Sequence, residues 1–276
     1  MKFGALPDKA AVSFILANKI TLHYAWGGPR SGIPLVFVNS LGTDLHMWDA
    51  LISHMSAQTP VLRYDMRGHG LSDVPSAPYT IRDHSGDLSA LLDELGVETC
   101  ILVGISVGGL VAIDFALQQP QRLCALVLCD TAPKIGTRES WSERMAIVQE
   151  QGLPNIAGMI VQRWFASDYA DRQPASFRGY VNMLARTPSE GYLGSCAALR
   201  DTDLSDAVGR IALPCLVLCG AQDVATSPEM VRAVAEALPD ARFELIEAAA
   251  HLPCVEQPQA VAAAIEQFLE EKVHAR

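Results

Sequence analysis

From residue 34 onward the chain alternates short apolar runs with segments of helical periodicity. Pro34 to Val38, Val61 to Tyr64, Ile101 to Val103, Leu123 to Cys129, Cys215 to Cys219 and Phe243 to Ile246 have the length of buried strands. Between most of them apolar residues recur every three or four positions. This predicts helices over Asp44 to Ala57, Ile81 to Leu95, Val107 to Gln118, Pro228 to Leu238 and Pro258 to Lys272, each near a Gly, Pro, Ser or Asp that punctuates it. Two β-like runs come earlier, Ser13 to Leu16 and Ile20 to Trp26, and predict an antiparallel start. Strand and helix in alternation imply an α/β protein whose mostly parallel sheet, eight strands in all, is covered on both faces by helices.

Residues 133–206 break this rhythm, being helical in tone without a convincing strand. They are read as a helical lid inserted into a core made of residues 1–132 and 207–276. Ligands in such sheets bind at the carboxyl ends of the strands, where the lid would lie. No repeat, low-complexity tract or long linker divides the chain further, and 276 residues, 50% of them hydrophobic, suffice for one large core.

A formal charge of −10 argues against nucleic acid or an anionic membrane surface as partner, since both attract basic patches. An anionic small molecule would need a local basic residue. No apolar run approaches the roughly 20 residues of a membrane span, and the opening MKFGALPDKAAVSF does not read as a signal segment, so a cytoplasmic location is expected. The seven cysteines, Cys100, Cys124, Cys129, Cys196, Cys215, Cys219 and Cys254, read as reduced residues, several within apolar runs. Cys215 and Cys219 lie four apart in CLVLCG, which fits a buried strand better than a metal site lacking further nearby ligands. Without a clustered Cys/His set or a GxGxxG turn after a strand, no metal or cofactor is expected. The oligomeric state is left open.

The strongest chemical signal is Gly104-Ile105-Ser106-Val107-Gly108-Gly109, a GxSxG motif directly after the strand ILV and before the helix LVAIDFALQQ. A sharp strand-to-helix turn would hold Ser106 in a strained conformation, and Gly104 and Gly108 would remove the collisions around it. The turn places the hydroxyl at a helix N-terminus, where free amides favour developing negative charge, and makes the Val107 amide an oxyanion donor. This context resembles the nucleophile turn of the α/β-hydrolase fold, which is therefore the fold expected. The competing reading is a glycine-rich turn with an incidental serine.

A serine hydroxyl needs a base to take its proton and an acid to orient that base, in the chain order Ser, acid, His. Two histidines follow Ser106. His274 sits in a polar tail, whereas His251 follows the strand-like FELIE through AAA and leads into the last helix. His251 is therefore the expected base. His69, in a loop before the serine, reads as structural. Two acids end strands: Asp130 after LVLC and Asp223 after CLVLCG. Asp223, one strand-helix unit before His251, is preferred, with Asp130 shaping the lid entrance. The second oxyanion donor is expected from the loop Asn39-Ser40-Leu41-Gly42-Thr43, at the Leu41 amide.

The segments NSLGTDLHMW, RYDMRGHGLSD, GISVGG and CAALRDTDL resemble the 3-oxoadipate enol-lactonases of aromatic catabolism, over nearly the whole chain. GxSxG is shared by esterases, lipases and carbon-carbon hydrolases, so NSLGT and CAALRDTDL are the sharper signals. The loop before His251 reads AAA where many relatives carry glycine. The resemblance implies Ser106, Asp223 and His251 as the triad, no cofactor, and a small anionic lactone as substrate, opened by water through an acyl-enzyme. Alternatives are a general carboxylesterase, a carbon-carbon bond hydrolase, or a ligand-binding receptor that keeps a triad yet turns over slowly.

A carboxylate entering a partly dry pocket calls for arginine, which can grip it with two parallel hydrogen bonds. Arg138, soon after the strand ending at Asp130, is the first candidate, with Trp141 walling the substrate ring if the segment is helical. Arg163, next to Trp164, is the second. A solvated lid position is the competing reading for each arginine.

Overall fold

The computed structural model describes residues 11–274. Eight strands form one sheet in the order β1-β2-β4-β3-β5-β6-β7-β8. These are β1 (Ala11–Ala17), β2 (Ile20–Gly27), β3 (Leu35–Val38), β4 (Val61–Tyr64), β5 (Cys100–Ile105), β6 (Leu123–Cys129), β7 (Cys215–Gly220) and β8 (Ala241–Ile246). β1 with β2 and β2 with β4 pair antiparallel, and every other neighbouring pair is parallel. Strands β3, β5 and β7 are buried at every position. Their unbroken apolar character follows from helices on both faces, which leave no solvated side to favour alternation. Cys215 and Cys219 lie inside β7, as free buried thiols.

The helices around the sheet are α1 (Asp49–Ile52), α2 (Ile81–Glu94), α3 (Val107–Gln118), α9 (Pro228–Ala237), α10 (Pro253–Glu256) and α11 (Pro258–Leu269). Between β6 and β7 the chain runs through five more: α4 (Arg138–Gln151), α5 (Leu153–Val161), α6 (Tyr169–Arg172), α7 (Pro174–Arg186) and α8 (Ser189–Asp201). No strand interrupts them. Among the described residues, no helix is long and apolar enough to cross a membrane.

Two elements differ from expectation. The helix expected over Asp44 to Ala57 is a 3-10 turn at Leu45–Trp48 followed by the four-residue α1. Leu45, Met47 and Trp48 are all buried, so the segment sinks into the core on several sides where an amphipathic helix would bury one stripe. The last helix ends at Leu269 and continues as a wider turn over Glu270–His274.

The core loops after β4 dock against α8 through glycine. A Cβ on Gly191 would collide with the Gly68 backbone, and one on Gly194 with the Tyr79 ring. Beside this seam His84 of α2 is buried, with Nε2 at 3.2 Å from Ser195 Oγ on α8. Burial pushes its pKa down to about 3, with the nearby His69 and Arg67 adding to the effect. His69, expected to be structural, is buried and donates from Nδ1 to the Arg67 carbonyl at 3.0 Å.

Candidate active site

Ser106 sits between the end of β5 and the start of α3 with φ 56° and ψ −121°, a conformation that costs of order 1–3 kcal/mol for a residue with a side chain. Its neighbours hold it there. The Ser106 N–H donates to Cys129 O at 3.1 Å, and its carbonyl accepts from Thr131 Oγ1 at 2.7 Å and from the Gly109 and Leu110 amides. A Cβ on Gly104 would collide with the Gly108 carbonyl, and one on Gly108 with the Val38 carbonyl, so the turn tolerates nothing larger at either position.

The loop after β7 brings Asp223 to His251. Nδ1 of His251 donates to Asp223 Oδ2 at 2.8 Å, which leaves Nε2 free to accept a proton. Asp223 also accepts from the Ala225 amide at 2.7 Å, the Thr226 amide at 3.2 Å and Thr226 Oγ1 at 2.6 Å. Burial alone would raise its pKa, but the facing His251 and these hydrogen bonds more than offset it, so the carboxyl lies below its ordinary range. Before His251, Ala248 has φ 54°, the left-handed region that favours glycine.

Asp130 behaves in the opposite way. It is fully buried at the end of β6, accepts from the Gly220 amide at 2.8 Å through Oδ1, and its Oδ2 has no partner among the described residues. Burial, reinforced by the neighbouring Asp223, pushes its pKa well up, the direction that favours the neutral acid. The expectation that Asp130 shapes the lid entrance is corrected: it lies under the site and is absent from the cavity wall. Asp130, Cys219 and Asp223 bring ligand-type atoms within 4.8 Å of one another. A metal there would compete with His251 and Thr226 for Asp223 and would need the buried Asp130 and Cys219 to lose protons that burial retains.

A cavity of about 210 Å³ lies above the strand ends. Ser40, Leu41, Ser106, Ala225 and His251 form its sheet side, and Trp141, Arg144, Arg163, Trp164 and Tyr192 stand among its helical side. Among the described residues, neither the Leu41 nor the Val107 N–H has a hydrogen-bond acceptor, so both donors are open. Asn39 holds the Leu41 loop in place, donating to Tyr64 O at 2.8 Å and accepting from Trp48 Nε1 at 2.8 Å.

A family model described as the alpha/beta hydrolase fold matches residues 33–258. The 3-oxoadipate enol-lactonase 2 of Acinetobacter baylyi is 37% identical over 252 residues, covering 91% of this chain and 94% of the relative. The chain belongs to the α/β-hydrolase family and groups with its 3-oxoadipate enol-lactonases. Family membership makes it a hydrolase. The crystal structure of an enol-lactonase from Burkholderia xenovorans superposes with a TM-score of 0.90 at 35% identity, covering 94% of this chain and all of that one. A thermophilic esterase from Thermogutta terrifontis, solved with malate bound, superposes with a TM-score of 0.88 at 29% identity over 95% of this chain and 99% of that one.

On the helical side the expectations divide. Trp141 does line the cavity, with its indole donating to Ile135 O at 2.6 Å, and so does Arg163. Arg138 does not. It is the first residue of α4, its side chain is 65% exposed, and its guanidinium is taken by Asp201 of α8 at 2.6 Å. The cavity meets α4 further along, at Ser140, Trp141 and Arg144. Arg144, not singled out from the sequence, follows Trp141 at the i,i+3 spacing that puts two side chains on one helix face, and that spacing was the available signal. Among the described residues, neither Arg144 nor Arg163 forms an ion pair.

Proposed function

We propose that this hydrolase opens 3-oxoadipate enol-lactone with water to give 3-oxoadipate, through an acyl-enzyme on Ser106. The observation that carries this reading is the cavity itself, in which a strained serine and an Asp223-oriented histidine face two arginines without carboxylate partners. A lactone carbonyl belongs at the first pair. The substrate's free carboxylate belongs at the second, where Arg144 and Arg163 replace Arg138 as candidates. In this reading residues 133–206 act as a cap over a core of residues 1–132 and 207–276. In this reading the reaction runs in the cytoplasm, the compartment in which free cysteines are the rule.

Ser106 Oγ, giving its proton to His251 Nε2, attacks the lactone carbonyl, and the Leu41 and Val107 amides hold the oxyanion. The ring C–O bond then breaks, leaving the acyl group on Ser106. The departing oxygen is an enolate, a better leaving group than an alkoxide, so proton delivery from His251 matters less than in amide cleavage. The enolate takes up the proton held by His251 and tautomerises to the ketone, so that His251 is neutral again; it then accepts a proton from a water attacking the acyl carbon and returns that proton to Ser106 Oγ as the ester bond breaks and 3-oxoadipate leaves. Steady turnover of the enol-lactone by the purified chain, with kcat/KM well above that for neutral aryl esters, is the expected result. A preference for neutral esters would assign a general carboxylesterase.

A further inference from the structure

Glu256 is the last residue of α10, five positions after His251, and its carboxylate reaches in two directions. Oε2 accepts from the Ala250 amide at 2.7 Å, and Oε1 accepts from the Ala166 amide at 3.0 Å. Ala166 lies in the loop between α5 and α6, in the same stretch as the cavity residues Arg163 and Trp164. That stretch is joined to the other side of the histidine as well, because the Leu252 amide donates to the Trp164 carbonyl at 3.1 Å. Both residues flanking His251 are thus tied to Trp164–Ala166, one directly and one through Glu256. Trp164 also approaches the Leu41 loop, since a Cβ on Gly42 would lie 3.6 Å from its ring.

We infer that Glu256 is a positioning residue that locks the backbone of His251 to the cavity wall carrying Arg163 and Trp164, so that the general base and the substrate-facing wall hold their geometry as one unit. The inference rests on His251 being the base. Ala250 and Ala166 are buried, at 1% and 5% exposure, and neither amide has another acceptor among the described residues. Without Glu256 both would have to shift toward water, because a buried unpaired N–H costs about as much as a lost hydrogen bond. Each shift moves a neighbour of the reacting groups. Packing keeps the clamp stiff: Phe165 stacks on Tyr169 with ring centroids 4.2 Å apart, and Phe165 and Trp164 are themselves buried.

The test uses Glu256→Gln and Glu256→Ala in the full chain, with His251→Ala alongside. Displacements near 1 Å at a reacting group cost up to about 100-fold. The expected kcat losses are therefore about 10-fold for Glu256→Gln, which keeps the shape but accepts from one amide, and about 100-fold for Glu256→Ala. The losses should be similar for the lactone and a neutral ester, counted per folded molecule by titration of Ser106. Amide exchange should accelerate at Ala250 and Ala166 while the β5 and β7 amides keep their protection. Wild-type kcat in Glu256→Ala overturns the proposal, and so does a loss explained wholly by fewer folded molecules with exchange raised across the sheet. If His251→Ala keeps turning over, the general-base reading fails first, whatever the Glu256 variants do. If His251→Ala is inactive and the Glu256 variants are normal, the clamp alone fails.

Discussion

Ser106, Asp223 and His251 on the sheet side of the cavity are buried and pinned by backbone or carboxylate contacts, whereas Arg144 and Arg163 on the helical side are more exposed and carry no ion pair among the described residues. In the proposed reaction the sheet side holds the atoms that exchange bonds and protons, which tolerate little displacement. The helical side offers charge and aromatic surface, which in the same proposal select what enters. Substitutions should separate these roles, with sheet-side changes lowering kcat for every substrate and helical-side changes altering the choice among substrates.

The largest effect belongs to Ser106→Ala, expected to lower kcat on the order of 10⁶-fold while circular dichroism and melting stay near wild type, because alanine keeps the same Cβ in the turn and removes only the hydroxyl. Near-wild-type turnover would remove the serine from the mechanism. Asp223→Asn comes next, with a loss on the order of 10⁴-fold as His251 loses the acceptor that orients it. Asp130→Asn should cost less than about 10-fold, since asparagine reproduces the shape of a carboxyl whose pKa burial pushes well up and which lies outside the cavity wall. The opposite ranking in kcat would move the acid to β6.

On the helical side, Arg144→Ala and Arg163→Ala should lower kcat/KM for the lactone by roughly 10- to 100-fold, the range of a charged hydrogen bond of about 1.5–3 kcal/mol, and leave a neutral ester nearly unchanged. Arg138→Ala, which breaks an exposed pair with Asp201, should change neither substrate appreciably. Equal losses on both substrates would make Arg144 and Arg163 supports of the helices. A separate effect is on stability. Below pH 6.5 the unfolded chain protonates His84, while the folded chain does so only near pH 3, so stability falls as pH drops through that window by up to roughly 1.4 kcal/mol per unit from this group. His84→Gln should flatten urea-unfolding free energy between pH 6.5 and 5, and an unchanged slope would contradict the neutral buried imidazole.

The same division governs what was legible in the sequence. The Ser106 turn is local, strand, motif and helix lying within about twenty residues, so pattern and chemistry could be read together. Asp223 was separable from Asp130 by strand order alone. Ala248, in the AAA before His251, occupies a left-handed position that favours glycine. The helical side was not legible to the same depth, because which arginine faces inward depends on where α4 meets the cavity and on Asp201, 63 positions beyond Arg138. Glu256 escaped notice for a similar reason: its partner Ala166 is 90 positions earlier. The Asp44 to Ala57 helix failed because periodicity cannot distinguish one buried stripe from burial on several sides.

The central claim, covalent catalysis by Ser106 on the lactone, is tested most directly by mixing enzyme with enol-lactone, quenching in acid within the first turnovers and mapping the peptides by mass. An adduct of the full lactone mass on the peptide carrying Ser106, absent in Ser106→Ala and decaying as product appears, is the predicted result. Product formed at the wild-type rate by Ser106→Ala, with no adduct in either protein, would contradict it.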